Sequence, residues 1–454
     1  LRVTRQIHFV GIGGAGLSAL ARVMLGRGAR VSGSDAAASD VTHALARAGA
    51  KIFIGHAAEN IAGADLVVVT SAAAQDNPEI VAAHLQNIPI LKRREFLRAV
   101  TAGYDTLAIA GSHGKTTTTA MVATILTDAG LDPTVVVGGI VPAWQTNARV
   151  GTGRWFVIEA DEYDYAFLGL TPYLAVVTNV DYDHPDLFPT QQVYQNAFAQ
   201  FLGRTRADGA IVVCGDEGAA RALAVQSGQP VIMYGTGGDN AWHAENVVVN
   251  ANGGMDFTLF QGENELGTLS LQVPGTHNVL NALAALVVTQ RCGVSYHVSR
   301  ESLAKFQGVG RRFQIHGTFH GATLIDDYAH HPTEIRATLS AARMRFPEAR
   351  LWALFQPHTF TRTRALLEEF AGAFQTADRV LVTDIYAARE RDAAGLTGAA
   401  LVERMDAQKT RYLSTLMQAE QVLRAELRAG DVLVVLGAGD VNRVVANLMQ
   451  DNHA

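Results

Sequence analysis

Gly111-Ser112-His113-Gly114-Lys115-Thr116 follows an apolar run from Thr106 to Ala110 and leads into a helix-like stretch. Glycines let backbone N–H groups approach phosphate oxygens, and the N-terminus of the next helix adds positive potential. At this spacing Lys115 reaches the β- and γ-phosphates of a nucleotide and the Thr116 hydroxyl takes Mg²⁺. Ile109 stands where a full Walker A motif has its first glycine. An ordinary lysine on a glycine-rich turn is the bland alternative; Gly-Lys-Thr placed directly between strand and helix argues against it. A second stretch, HFVGIGGAGLSAL from His8, carries Gly11, Gly13 and Gly16 as G-x-G-x-x-G. Alone this motif is weak and suits the dinucleotide of an NAD-dependent dehydrogenase. Asp35 even lies near the distance at which a ribose-binding acid follows. Hydride transfer needs no ATP, whereas joining a nucleotide-linked substrate to another molecule often does. The Lys115 loop therefore moves the reading of the first loop towards the diphosphate of a UDP-type substrate.

Other residues of the right type gather at the ends of strand-like runs. Glu159 ends WFVIE, and His184 follows YLAVVT through NVDYDH. In a parallel sheet both belong at the carboxyl edge, beside the phosphate loop. Mg²⁺ prefers hard oxygen ligands, so Thr116 and Glu159 suit one ion. The plain alternatives are a surface acid and a turn histidine. Asp161, Glu162, Asp164, Asp181, Asp183 and Asp186 make this edge acidic, and most read as solvated or one step removed from the metal. Asn278 and Asn281 are three apart and share one helical face; a helix cap with a buried amide explains them equally well. Arg311 and Arg312 adjoin in GVGRRFQ, Asp327, Tyr328, His330 and His331 cluster in DDYAHHPTEI, and His358 and Arg362 lie in FQPHTFTRTR. Of the two adjoining arginines, Arg311 reads as a solvated neighbour. Gly437 and Gly439 form a third glycine pair, read as a tight turn.

Strand-like and helix-like runs alternate almost throughout, which predicts α/β domains with parallel sheets covered on both faces. Boundaries fall near Tyr104 and near Gly317. Residues 240–272 alternate apolar and polar positions with Gly and Asn turns, and read as antiparallel hairpins appended to the middle domain. The 454 residues suggest two or three domains. The net charge of −6 argues against a broad nucleic-acid face. Cys214 and Cys292 are too few for a disulfide framework and suit a reducing cytoplasm. The basic N-terminus has its apolar stretch broken by glycines, unlike a signal peptide, and no apolar run is long enough for membrane insertion. The last few residues are expected to fray.

Taken in order, GIGGAGLSALARVML, GSD, GSHGKTTTT, EADEYD, TNVDYDH, PGTHNVLNALAA, GVGRRFQ, DDYAHHPTEI and FQPHTFTRTRALLEEF resemble the Mur ligases over essentially the whole chain. Within that family the resemblance is nearest to the branch that adds L-alanine to UDP-N-acetylmuramate. It implies three domains. An N-terminal Rossmann-like domain (1–104) would bind the UDP sugar. A central P-loop-type ATPase (105–317) would combine a parallel sheet with a small antiparallel one. A C-terminal Rossmann-like domain (318–454) would close over both substrates. The implied reaction makes an acyl phosphate from ATP and a carboxylate, which an amine then attacks.

The resemblance also implies roles. Gly11, Gly13, Gly14, Ala15, Gly16, Asp35 and Ser71 would meet the UDP sugar. Gly111, Ser112, His113, Gly114, Lys115, Thr116, Thr117, His277, Asn278, Asn281, Arg312 and Asp327 would meet ATP. Thr116, Glu159 and His184 would hold Mg²⁺. Tyr328, His330, His358 and Arg362 would face the substrates, with Arg362 on the amino-acid carboxylate. Many relatives carry arginine at the position of Thr359, which leaves Arg362 as the main cation there. Lys115, Arg312, His184, His330 and His331 are the catalytic candidates, and any of the three histidines could take the proton from the amine. Some Mur ligases carry a carbamylated lysine near the second metal. Here the lysines are Lys51, Lys92, Lys115, Lys305 and Lys409, so none fills that place, as in the alanine-adding branch. The rivals are a ligase for the tripeptide L-Ala-γ-D-Glu-diaminopimelate, the dehydrogenase, and a non-catalytic nucleotide-binding protein. The state expected is a monomer or weak dimer.

Overall fold

β-Branched apolar runs bounded by glycine turns pair into parallel sheets, because both faces of such a strand can be buried under helices. In the computed structural model, which describes residues 6–388, 390 and 395–450, three sheets form around such runs. The expected fraying concerns residues 451–454, outside the described ones. The first sheet holds β1 (Gln6–Val10), β2 (Arg30–Asp35), β3 (Lys51–Ile54), β4 (Leu66–Val69) and β5 (Ile90–Lys92) in the order β3-β2-β1-β4-β5, all parallel. Its topological switch point lies between β1 and β4, where ligands of open α/β sheets bind.

The next seven strands are β6 (Asp105–Ala110), β7 (Thr134–Val141), β8 (Thr146–Arg149), β9 (Trp155–Glu159), β10 (Leu174–Val177), β11 (Ala210–Cys214) and β12 (Val231–Gly235). They run β12-β11-β10-β6-β9-β7-β8, parallel except for the β7–β8 pair. β13 (Trp242–Val249) starts parallel to β12, and β14 (Met255–Gln261) and β15 (Asn264–Leu271) form an antiparallel pair. The last sheet contains β16 (Gln314–Phe319), β17 (Ala322–Asp327), β18 (Leu351–Phe355), β19 (Arg379–Val382), β20 (Thr410–Tyr412) and β21 (Val432–Leu436). Its order is β16-β17-β21-β18-β19-β20, with only the β16–β17 pair antiparallel. The fold is thus α/β with three sheet-centred domains. The boundary expected at Gly317 falls inside β16, because that strand already pairs with β17.

The chain packs as two compact units. One comprises residues up to 181 with 195–243 and 281–302; the other comprises 182–194, 244–280 and residues from 303 onward. In the first unit the helix Ala15–Gly26 packs on the β7–β8 hairpin. Asn147 Nδ2 donates to Ser18 Oγ (3.2 Å), and a β-carbon on Gly26 would lie 2.6 Å from Val150 Cγ2. The helix Lys115–Asp128 is buried along nearly its whole length, Met121, Ile125 and Leu126 completely. Burial of each such side chain favours folding by about 1.5–3 kcal/mol, which outweighs the poor helix propensity of its six threonines. In the second unit two apolar layers cover the last sheet, one around Phe355 and Phe370, the other around Trp352 and Leu433.

Candidate functional site

The first glycine loop leaves β1 at the switch point. The N–H groups of Gly11 and Ile12 donate to the Ser34 carbonyl at the end of β2, 2.9 and 3.0 Å. Asp35 Oδ2 takes the Gly13 N–H at 2.8 Å, so this carboxylate shapes the loop itself. Gly14 is the N-cap of the helix Ala15–Gly26 and offers no side-chain cap. The N–H groups of Ala15, Gly16 and Leu17 find no acceptor among the described residues, which is the usual state of a first helical turn open to an anion. Ser71 is exposed just beyond β4. Behind the loop lies a buried polar cluster that sequence reading did not single out. Glu79, completely buried, accepts from Ser34 Oγ (2.6 Å) and Asn60 Nδ2 (2.6 Å) and lies 3.1 Å from His56 Nδ1 and 3.6 Å from His8 Nε2. Burial alone would raise its pKa, but these hydrogen bonds hold it down to about 2.

The second loop follows β6. Gly114 adopts φ +81° and caps the helix Lys115–Asp128 without a side chain, which leaves its first N–H groups for phosphate. The loop is clamped from β10: Thr178 Oγ1 donates to the His113 carbonyl (2.5 Å), Asn179 Oδ1 takes the His113 N–H (2.8 Å), and Ser112 Oγ donates to the Asp181 carbonyl (2.6 Å). The His113 ring lies 3.1 Å from Asp181 Oδ2. Asn281 reaches the loop: its Oδ1 accepts from Thr118 Oγ1 (3.1 Å), and a β-carbon on Gly114 would come within 2.5 Å of it. Thr116 and Thr117 are buried at the helix start. Glu159 ends β9 beside β6, and one of its oxygens takes the Gly138 N–H at 2.7 Å. The Thr116 hydroxyl, in the first turn of the helix after β6, and the Glu159 carboxylate, at the end of the adjoining β9, are hard oxygen donors, a donor set that fits Mg²⁺.

Lys115 is not idle. Its Nζ donates to the Gly111 (2.5 Å) and Ser112 (3.1 Å) carbonyls and to Glu162, whose Oε2 is 2.9 Å away. Burial works against its charge, but Glu162, Asp161 and Glu159 outweigh it and raise its pKa. Asp161 in turn binds Arg93 Nη1 at 2.5 Å. Burial would raise the Asp161 pKa; Arg93 and then Lys115 keep it below the usual range. Three of the acids read as solvated or one step removed from the metal thus have named partners: Arg93 for Asp161, Lys115 for Glu162 and the His113 ring for Asp181. Those partners stand tens of residues away, and no local spacing announces them.

The second unit holds the remaining candidates. Arg362, 5% exposed, donates through Nε to Asp183 Oδ1 (2.7 Å) and through Nη2 to Oδ2 (3.2 Å), with Asp183 equally buried. Its Nη1 donates to the His358 carbonyl at 3.3 Å. The guanidinium expected on an amino-acid carboxylate is here paired with a side chain 179 positions away in the chain. Burial opposes the Asp183 charge, but Arg362, His184 and His331 hold its pKa well down. His184, at φ +55°, lies within reach of the same pair, Nδ1 3.4 Å from Arg362 Nη2. His331 caps the helix Pro332–Arg345: Nδ1 accepts from the Thr333 N–H (3.3 Å), so Nε2 carries the hydrogen that reaches the Tyr182 carbonyl (3.2 Å). His330 Nδ1 donates to the Tyr328 carbonyl at 2.9 Å. Burial pushes its pKa down to about 4, so the ring is neutral and Nε2 has a lone pair. His358 stacks on Tyr386 at 5.7 Å.

Asp327 ends β17 and takes the N–H groups of Phe313 (2.7 Å) and Ala329 (2.8 Å); burial raises its pKa to about 6. Two guanidinium groups lie over the Tyr328 ring, Arg311 at 5.0 Å and Arg312 at 5.1 Å from its centroid. Arg311, expected as a solvated neighbour, is anchored instead: Nη2 donates to the Gly437 carbonyl (2.6 Å) and Nε lies 3.2 Å from Asp326. Arg312 Nη1 is 3.8 Å from Glu334. His277 packs against Gly275 and is kept neutral by burial, its pKa about 4. Asn278 Nδ2 donates to the Pro274 carbonyl at 2.7 Å, so its amide closes its own turn.

Three family models match the chain: "Mur ligase family, catalytic domain" over 6–105, "Mur ligase middle domain" over 109–289 and "Mur ligase, glutamate ligase domain" over 311–439. A UDP-N-acetylmuramate–L-alanine ligase of Acidithiobacillus ferrooxidans is 45% identical over 452 residues, covering 98% of this chain and 97% of that protein. The crystal structure of a UDP-N-acetylmuramate–alanine ligase from Thermotoga maritima superposes with a TM-score of 0.85 at 30% identity, covering 99% of both chains. A murein peptide ligase from Psychrobacter arcticus gives 0.73 at 26% identity, covering 98% of both. With the two phosphate loops in place and all three family models matched in order, the chain belongs to the Mur ligase family.

Proposed function

We propose that this protein joins L-alanine to the lactyl carboxylate of UDP-N-acetylmuramate at the expense of ATP, a cytoplasmic step in building peptidoglycan precursors. The observation that carries the reading is the pair of glycine loops within one compact unit, one without a lysine and one with Lys115-Thr116. The near-full-length identity to alanine-adding relatives supports it. No helix among the described residues is long and apolar enough to cross a membrane. The working division is 1–104 for the UDP sugar, 105–313 for ATP and β16 onward as the third domain, with the second boundary moved ahead of β16. The protein acts as a monomer or weak dimer.

In this reading the first-turn N–H groups of Ala15 to Leu17 receive the UDP diphosphate. The helix start at Lys115 receives the ATP phosphates, and Lys115 leaves its loop carbonyls and Glu162 for the γ-phosphoryl. Thr116 and Glu159 would hold one Mg²⁺ and His184 a second, which when bound would neutralise charge on the phosphates. Arg312 adds positive charge where negative charge develops. The lactyl carboxylate oxygen attacks the γ-phosphorus, the bond to ADP breaks, and the acyl phosphate forms. The alanine amine, after losing a proton, displaces phosphate. Of the three candidate histidines, His330 is the one we assign to that proton: its Nε2 is unprotonated and has no partner among the described residues, whereas both nitrogens of His331 are engaged.

The test is ADP release with each component omitted in turn, followed by kcat/KM for L-alanine, glycine, L-serine and the tripeptide. ADP should appear only when ATP, UDP-N-acetylmuramate and an amine donor are all present. Glycine should react roughly 10–200-fold less efficiently than L-alanine, since one methyl is worth about 1–3 kcal/mol. Preference for the tripeptide would move the protein to the peptide-recycling reaction. ADP release without the UDP sugar would overturn the reading.

A further inference from the structure

The first glycine loop, Gly11-Ile12-Gly13-Gly14-Ala15-Gly16, contains no charged side chain. A helix start supplies only about half a positive charge, against a diphosphate that carries at least two negative ones. Asp35, which takes the Gly13 N–H, is an acid. A cation must come from elsewhere, and the structure brings one. The guanidinium of Arg93, at the start of the helix Arg93–Thr101 after β5, lies against the first turn of the helix Ala15–Gly26. A β-carbon on Gly16 would sit 2.6 Å from its Cζ and 2.9 Å from both Nε and Nη2. Only glycine admits that approach.

The donors of Arg93 are unevenly used. Nη1 binds Asp161 Oδ2 at 2.5 Å. Nε is buried and makes no hydrogen bond, and Nη2 has no acceptor among the described residues. A desolvated guanidinium N–H without an acceptor is costly, and here it lies beside N–H groups that are also unpaired. Nε and Nη2 each lie 2.9 Å from where a β-carbon on Gly16 would stand, in the same helical turn as the unpaired N–H groups, and this set of donors suits a single multivalent anion. Arginine presents such donors as a planar fork that matches phosphate oxygens.

We propose that Arg93 binds the diphosphate of the nucleotide sugar at the first glycine loop, with Asp161 as the residue that positions it. The proposal rests on the function given above and extends it by naming a cation and its holder. Asp161 lies in the segment that also supplies Glu162, the partner of Lys115. One carboxylate segment thus holds the basic residues of both phosphate loops, through Arg93 at the first and Lys115 at the second. Arg93 is a substrate-binding residue in this scheme and Asp161 a positioning residue.

The experiment measures binding of UDP, uridine and ATP to the full-length protein by calorimetry, for the natural chain and for Arg93→Ala, Arg93→Lys and Asp161→Asn. Arg93→Ala should weaken UDP by roughly 10–100-fold, as expected for a lost charge-assisted hydrogen bond, while uridine and ATP stay within about twofold. Arg93→Lys, which keeps the charge but not the fork, should fall between. Asp161→Asn should weaken UDP less than Arg93→Ala and add little to it in the double variant. A purely structural strut predicts another pattern: a lower melting temperature with UDP and uridine affected alike. Unchanged UDP affinity in folded Arg93→Ala, or equal losses for UDP and uridine, would overturn the proposal. Where Arg93→Ala does not fold, the UDP-to-uridine affinity ratio of Arg93→Lys decides, and an unchanged ratio overturns it. These binding measurements stand apart from turnover. Loss of UDP-sugar-dependent ADP release in the natural chain would sink the function but leave the Arg93 result standing.

Discussion

Removing Arg362 should expose how much the second unit depends on one buried ion pair. Both side chains are 5% exposed and meet in a two-point contact, 2.7 and 3.2 Å. In Arg362→Ala, Asp183 keeps one close donor, the His184 N–H at 2.6 Å, and its charge is left buried. Breaking such a pair costs about 3–5 kcal/mol, mostly the penalty of the stranded charge. The second unit has about 200 residues, for which 1 kcal/mol moves the melting temperature by about 2–4 °C. The expected drop is therefore about 6–20 °C by scanning calorimetry at pH 8. At pH 5 the drop should shrink, because a stranded Asp183 has a raised pKa and escapes its penalty by taking a proton. The double variant Asp183→Ala/Arg362→Ala should be less damaged than the two single losses added together, since it strands no charge. A drop under about 2 °C in Arg362→Ala, or simple additivity in the double variant, would refute the reasoning.

Lys115→Ala should abolish ADP release while UDP-N-acetylmuramate still binds, because the two glycine loops follow different sheets; titration of the variant with the UDP sugar checks this, and loss of sugar binding in a folded variant would count against two separate sites. Glu159→Ala should cut turnover by orders of magnitude and raise the Mg²⁺ concentration needed; an unchanged rate and Mg²⁺ dependence would remove Glu159 from the metal. Glu79 titrates near 2 when folded against an ordinary value of 4.5. It therefore contributes about 3 kcal/mol that is fully present above pH 4.5 and is lost as pH falls towards 2. Urea midpoints measured from pH 6 to pH 2.5 should fall less steeply with acid in Glu79→Gln, and parallel curves for the two proteins would dismiss this role.

The alternation of runs such as DTLAIA and WFVIE made β6 and β9 legible, because fully buried parallel strands need unbroken apolar sequence. β7 was not legible: two glycines interrupt TVVVGGIV, and they are there because Gly138 must admit the Glu159 carboxylate, whose oxygens would lie 2.6–2.7 Å from a β-carbon. β3, β5 and β20 are too short, at three or four residues, to show a period. The phosphate loops were readable because their chemistry is local, a few glycines with lysine and threonine at fixed offsets. The residues that hold those loops were not. Arg93 sits in KRREF, which looks like a solvated helix start, and Asp161 in a run of acids. Arg362 looked available for a ligand and Asp183 read as one of several solvated acids, since nothing in either neighbourhood names the other.

The helix behind the first loop is fastened to the β7–β8 hairpin through Asn147 and Val150, and both loops lie in one compact unit. Two anchorages on a single frame have a set spacing. On the proposed chemistry, the sugar between the diphosphate and the lactyl group then serves as a gauge, and its length decides whether the carboxylate arrives at the γ-phosphate. A nucleotide sugar one bond longer or shorter would still be held at its diphosphate end and yet deliver its carboxylate to the wrong place. Selection by reach needs no pocket shaped around each sugar hydroxyl.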